Sequence, residues 1–292
     1  MDQEPHRRGL TLDLSDRREI SGYLLVTVVG IEIVLSTVIN LVVFPNAWVE
    51  STVFAPIQAA TAGLVTASML VNLVSIAVVP VGLLVIVSGL RWRDLGLDRT
   101  QLPVAVAVTA GIWIVAQCIG AGIAFFDTGT VTLDPTWIDS GVGGTLGLVL
   151  TQLIGNALYE EVVFRAVLFD QLVLKFRDRA SGFEYALIGS QLVFALLHVP
   201  NRLYRGYSLP EFGESLALLF LLGLMFAIVY HRTGNLLIAV GMHALINAPT
   251  MVIETAVSGQ LLVIGLLTVL ILVWPRLRRS ITAARTRTPI EE

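Results

Sequence analysis

The sequence predicts an all-α fold, a polytopic membrane helix bundle of about eight transmembrane helices with both termini cytoplasmic. Three observations predict it. The 292-residue chain is 55% hydrophobic and 14% charged, with a mean hydropathy of +0.80, far from the composition of a water-soluble domain. Apolar stretches long enough for about 30 Å of hydrocarbon recur along it. Of 19 Lys and Arg residues, 16 fall in the N-terminal arm, the C-terminal tail and alternate loops, two in the opposite loops and one inside a span. Basic residues collect on the cytoplasmic side, and this division fits eight spans.

Residues 1–20 form a charged cytoplasmic arm carrying Arg7, Arg8, Arg17 and Arg18, with no short apolar core of a removable signal peptide. Span one, 21–44, is an anchor and contains Glu32, which either lines a cavity or pairs with another helix. Residues 45–63 are half apolar and predict an interfacial or re-entrant helix. Span two, 64–88, is kinked at Pro80, and Arg91, Arg93 and Arg99 follow it. Span three, 103–126, holds Cys118, read as a small buried hydrophobe; one cysteine excludes an internal disulfide and a cysteine-rich metal site. Span four, 144–172, precedes Lys175, Arg177 and Arg179. Span five is 185–200. The loop 200–213 reads as an interfacial connection in preference to a lid over a site. Span six, 215–231, ends in HRTGNLL, a tight turn around Gly234 and Asn235 that leaves His231 at the membrane edge and outside the chemistry. Spans seven and eight are 235–253 and 256–274, and a basic tail occupies 275–292. The chain thus divides into arm 1–20, transmembrane domain 21–274 and tail 275–292, with arm and tail against anionic lipid headgroups. A net charge of -3 and basic residues without interleaved aromatics give nucleic-acid binding no support.

Within span four, Glu160, Glu161 and Arg165 cost roughly 7 to 10 kcal/mol against hydrocarbon, so they must face protein and mark a functional site. In QLIGNALYEEVVFR, Gln152, Asn156 and Glu160 recur every fourth residue and share a helix face. Glu161 and Arg165, also four apart, neutralise each other. Glu160 is left without an intrahelical cation, the condition for a carboxylate that takes and returns a proton. Span five carries FALLH, with Phe194 and His198 on one face and Gln191 two turns from the histidine. Span seven carries HALIN, where His243 and Asn247 point the same way and both can donate hydrogen bonds while neutral. Taken singly, these side chains are equally well read as core packing or interhelical hydrogen-bond glue. At about 1.5 Å of rise per residue they reach overlapping depths, which favours one site.

These residues resemble the CPBP intramembrane proteases, the CAAX protease and bacteriocin-processing (Abi) family that includes the type II CAAX prenyl endopeptidases. The resemblance rests on EEVVFR (an EExxxR motif), FALLH (FxxxH) and HALIN (HxxxN), in that order on successive spans over about 144–250, and on the TGNLL turn. Ala166 departs from the glycine the family often has after the arginine. The first three spans carry no matching motif. The resemblance implies an endopeptidase in which Glu160 is the general base and His198 positions the water. His243 and Asn247 then hold the oxyanion, and Glu161 and Arg165 support the motif helix. Its substrates would be membrane-anchored proteins or peptides.

Glutamate-based hydrolysis without a cofactor is the favoured mechanism. A catalytic zinc held by Glu160, His198 and His243 is the alternative, although HExxH spacing is absent. A noncatalytic scaffold or bacteriocin-immunity protein and a proton-coupled transporter are the competing readings from other classes. Arg outnumbers Lys 18 to 1, which suggests a GC-rich bacterial genome and a bacterial plasma membrane.

Overall fold

In hydrocarbon a chain must satisfy its main-chain groups within each segment, so runs this apolar fold as helices. The protein was analysed as a computed structural model that describes residues 12–248 and 250–287, with side chains of the last helix described to Leu277. The start of the arm with Arg7 and Arg8, and the end of the tail, lie outside the described residues.

The helices are α1 (Gly22–Val43), α2 (47–60), α3 (Ala67–Val87), α4 (Arg99–Thr128), α5 (Gly141–Phe176), α6 (Gly182–Leu196), α7 (Val199–Tyr204), α8 (Leu209–Thr233), α9 (Leu236–Asn247) and α10 (Gly259–Arg287). Short turns at Trp92–Leu95 and Pro135–Asp139 join some of them. Among the described residues, seven helical segments are long and apolar enough to cross a membrane, α6 and α7 forming one of them. The expected seventh span is shorter than the sequence suggests. It stops at Asn247 after 12 residues, about 18 Å, so it is a half-length helix beside the seven segments of spanning length among the described residues.

Pro80 lies in a stretch of wide, five-residue turns from Ala77 to Val87, which tolerates its missing N–H. Residues 47–60 are helical, begun by Asn46, whose side chain accepts from the N–H groups of Trp48 and Val49. Cys118 is exposed on α4, not buried as expected, because α4 turns its small residues Ala105, Ala116 and Gly120 inward instead. The turn after α8 forms as expected. Gly234 takes φ +65 and the Asn235 side chain accepts from the N–H of Leu237, starting α9.

The described part of the arm is tied to the bundle by hydrogen bonds. Leu12 N–H donates to the His231 carbonyl at 2.8 Å, and the Arg17 guanidinium donates to the Tyr230 hydroxyl at 3.1 Å beside the buried Asp170. The Arg18 guanidinium donates to the Gly89 carbonyl at 2.6 Å. These contacts strap residues 12–20 across the end of the bundle where the basic loops lie.

Beyond α9 the chain runs unwound, and its polar groups are met by neighbours. Trp113 Nε1 and Gln117 Nε2 on α4 donate to the Thr250 carbonyl, Val252 N–H donates to Gln117 Oε1, and Trp137 Nε1 donates to the Met251 carbonyl. A single antiparallel bridge pairs Leu133 with Ile253. The motif-free span α4 therefore ends α9 and fixes where Asn247 stands. Gly241 permits the close packing this needs, since a Cβ there would meet Thr109 Oγ1 at 2.0 Å.

Candidate active site

Helix α5 has two stretches of wide turns, Thr151–Asn156 and Glu161–Phe169; Glu160 stands just before the second, which contains Glu161 and Arg165. Such turns recur at functional sites. Here they let adjacent glutamates serve different partners.

Glu161 and Arg165 are fully buried, with Arg165 Nε 3.2 Å from Glu161 Oε2. The expected pair is present as a close ion pair. Arg165 also reaches the Gly223 carbonyl at 3.4 Å, and its guanidinium lies over the rings of Phe194 (4.4 Å) and Phe226 (5.5 Å). Gly223 admits this packing, because a Cβ there would meet Gln191 Oε1 at 2.8 Å. Cation–π attraction is strongest where water is excluded. Phe194 then meets His198 edge-on at 4.8 Å, and Phe226 stacks on His243 at 4.5 Å and 18°. The buried arginine thus anchors two aromatic rings, each bracing one imidazole. That supplies a physical reason for the phenylalanine of FALLH.

His198 occupies a break in the fifth span. Helix α6 ends at Leu196, and Pro200 sits in the first turn of α7, for which His198 is the N-cap residue. Proline is tolerated there but not further inside a helix. His198 Nδ1 donates to the Phe194 carbonyl at 2.8 Å, since a carbonyl only accepts. Its Nε2 faces Glu160 Oε1 at 3.7 Å.

His243 is buried on α9, with Nδ1 at 2.7 Å from Glu161 Oε1 and Nε2 at 3.7 Å from Glu160 Oε2. An ionised carboxylate only accepts, so Nδ1–H donates to Glu161 and Nε2 is the ring nitrogen turned towards Glu160. Glu161 is therefore a partner of His243 as well as of Arg165. Asn247 Nδ2 donates to Gln152 Oε1 at 3.3 Å, as does Asn156 Nδ2. All four expected site residues, Glu160, His198, His243 and Asn247, line one cavity of about 550 Å³.

The walls of that cavity include residues the motifs did not reveal. Helix α1 contributes Glu32, Ser36 and Asn40, and α3 contributes Ser68, Asn72 and Ser75. Their near-fourfold spacing was a legible polar stripe on apolar helices. Glu32 both lines the cavity and accepts from the Tyr159 hydroxyl at 2.5 Å. The connection after Pro200 is helical and brings Asn201, Arg202 and Arg205 to the cavity, so it is part of the site's wall and not a mere interfacial link. His231 stays away from the cavity, packed on Phe183.

The zinc alternative needs Glu160, His198 and His243 as ligands. Among the described residues no group of three or more His, Cys, Asp or Glu side chains is placed to hold a metal ion.

Long apolar helices enclosing a buried cluster of carboxylates, imidazoles and an arginine define the class: a multi-pass membrane protein with its polar machinery inside the bundle. Residues 142–249 match the family model described as Rce1-like, type II CAAX prenyl endopeptidase Rce1-like, which is consistent with the CPBP, CAAX-protease family. The matched residues coincide with the 144–250 motif core. No curated protein and no solved structure matches the chain.

Proposed function

We propose that this protein is an intramembrane endopeptidase of the CAAX-protease type that hydrolyses peptide bonds of membrane-associated proteins or peptides in a bacterial plasma membrane. The observation that carries the reading is Glu160 held between two imidazole Nε2 atoms, 3.7 Å from each. That separation is too long for direct hydrogen bonds and leaves room for a water beside the Glu160–His198 edge. The water donates one hydrogen to Glu160 and the other to the His198 lone pair, which turns its own lone pair towards a substrate carbonyl. Glu160 takes the proton as the water attacks, then delivers it to the departing amine. Asn247 Nδ2–H and His243 lie on the side of the cavity where the tetrahedral oxyanion develops and stabilise it. Each step uses protein groups alone.

The test is a proteomic comparison of membrane fractions from cells carrying the wild-type or the Glu160→Gln protein, with metal analysis of purified protein. Glu160→Gln and His198→Ala are expected to abolish cleavage while insertion and purification stay normal. Loss of the side chain at His243 or Asn247 is expected to cost about 10² to 10³ in rate. Cleavage by Glu160→Gln at the wild-type rate would refute the mechanism. A phenotype that survives both substitutions would favour a scaffold or immunity role, and stoichiometric zinc whose removal stops cleavage would replace the metal-free scheme.

A further inference from the structure

We propose that Arg202 and Arg205 form a carboxylate-binding subsite at the mouth of the cavity, seating a free carboxylate of the peptide whose scissile bond lies over Glu160. The inference rests on the proteolytic reading and adds the chemistry that selects the substrate.

Both arginines line the same cavity as Glu160, His198, His243 and Asn247. Among the described residues no carboxylate stands within 4.0 Å of either guanidinium. Arg202 is held in place all the same. Its Nε donates to Ser215 Oγ at 2.6 Å and its Nη1 to Asn201 Oδ1 at 2.5 Å, and its guanidinium lies over Tyr207 at 5.4 Å. Asn201 is fixed in turn by donating to Asn40 Oδ1 on α1 at 2.8 Å. A guanidinium so immobilised has little rotamer freedom left to lose, and its planar fork matches a carboxylate.

The sequence supplies an independent argument. The cavity reaches Phe44, Ser68, Arg205 and Gln260, near the ends of α1, α3, α7 and α10 opposite the basic loops. Arg202 and Arg205 are the two basic residues among 19 that break the charge asymmetry, and both stand on this cavity. Topology does not call for them there; an anion entering the cavity does. A peptide is the occupant, because the two guanidinium groups share one cavity with the hydrolytic cluster.

Binding tests the subsite without cleavage. Glu160→Gln protein in phosphatidylcholine nanodiscs is titrated with a fluorescein-labelled decapeptide of Ala, Leu and Val bearing a free C-terminal carboxylate. The same peptide as its C-terminal amide, and that amide with one internal Glu, are the comparisons. At least one carboxylate peptide is expected to bind about tenfold more tightly than the neutral amide. The better of the two says whether the site reads a chain end or an acidic side chain. Adding Arg202→Gln and Arg205→Gln together should reduce that preference below about twofold, and the exposed Arg205→Gln alone should reduce it partly if the double variant does not fold. Equal binding of acid and amide, no binding of any peptide, or a preference unchanged in the Arg variants overturns the subsite. A preference that vanishes when phosphatidylglycerol is included overturns it too, assigning the arginines to a lipid headgroup. If Glu160-dependent cleavage persists while the preference is absent, the subsite alone fails.

Discussion

At the scale of single residues, the adjacent glutamates share a helix turn and have opposite surroundings. Glu160 faces the cavity, whereas Glu161 and Arg165 have no solvent exposure. Removing one partner from such a pair strands a buried charge, at about 3–5 kcal/mol. Arg165→Met and Glu161→Gln should each lower thermal stability in detergent by that order, and the double variant should recover much of the loss. A double-mutant cycle on unfolding midpoints measures the coupling, and simple additivity would contradict the pair. Activity should not recover with stability, because Glu161→Gln removes the carboxylate that accepts from His243 Nδ1 and orients its ring. The four-residue spacing made the Glu161–Arg165 pair legible in the sequence. The Glu161–His243 bond was not, since it joins residues 82 apart and depends on how α9 docks against α5.

At the scale of elements, two junctions deserve separate tests, one beside the cavity and one in a loop. Pro200 ends α6 just before His198, so Pro200→Ala should let the helix continue and displace the imidazole. Cleavage is expected to fall about 10- to 100-fold with little change in thermal stability; an unchanged rate would mean that the break does not set the ring. The loop between α3 and α4 is held by Asp94. Burial raises its pKa, but hydrogen bonds from the Arg91 side chain and from the N–H groups of Arg91 and Arg18 outweigh this and keep the carboxyl below its ordinary value. A lowered folded-state pKa means stability that is present above the unfolded value and lost as pH falls through the folded one. Wild type should therefore lose an advantage over Asp94→Asn below about pH 4, measured as converging melting temperatures. Most helices were legible because hydrocarbon admits few alternatives to a long apolar helix. The end of α9 was misplaced because the apolar run continues past Asn247, and only Pro249 hinted at the stop.

At the scale of the whole molecule, the strap of residues 12–20 lies at the end with the basic loops, and the cavity reaches the other. The charge asymmetry predicts that other end to be extracytoplasmic. In a Cys118→Ala background, Ser68→Cys and Gln260→Cys should react with a membrane-impermeant maleimide added to intact cells, and Arg93→Cys only after permeabilisation. The reverse pattern would invert the orientation. Motif reading missed the contribution of α1 and α3 because polar stripes there match no family pattern. The half-length α9 carries a last consequence. Leu236 and every residue from Ile238 to Ile246 are buried in protein, so lipid tails barely touch the helix that bears His243. The depth of the Glu160–His243 cluster is set by the protein's own packing, as a bearing is set by its housing, and not by the thickness of the bilayer. Turnover should stay nearly constant as the acyl chains of the host lipid are lengthened from 14 to 20 carbons, even where the outer helices must tilt to follow.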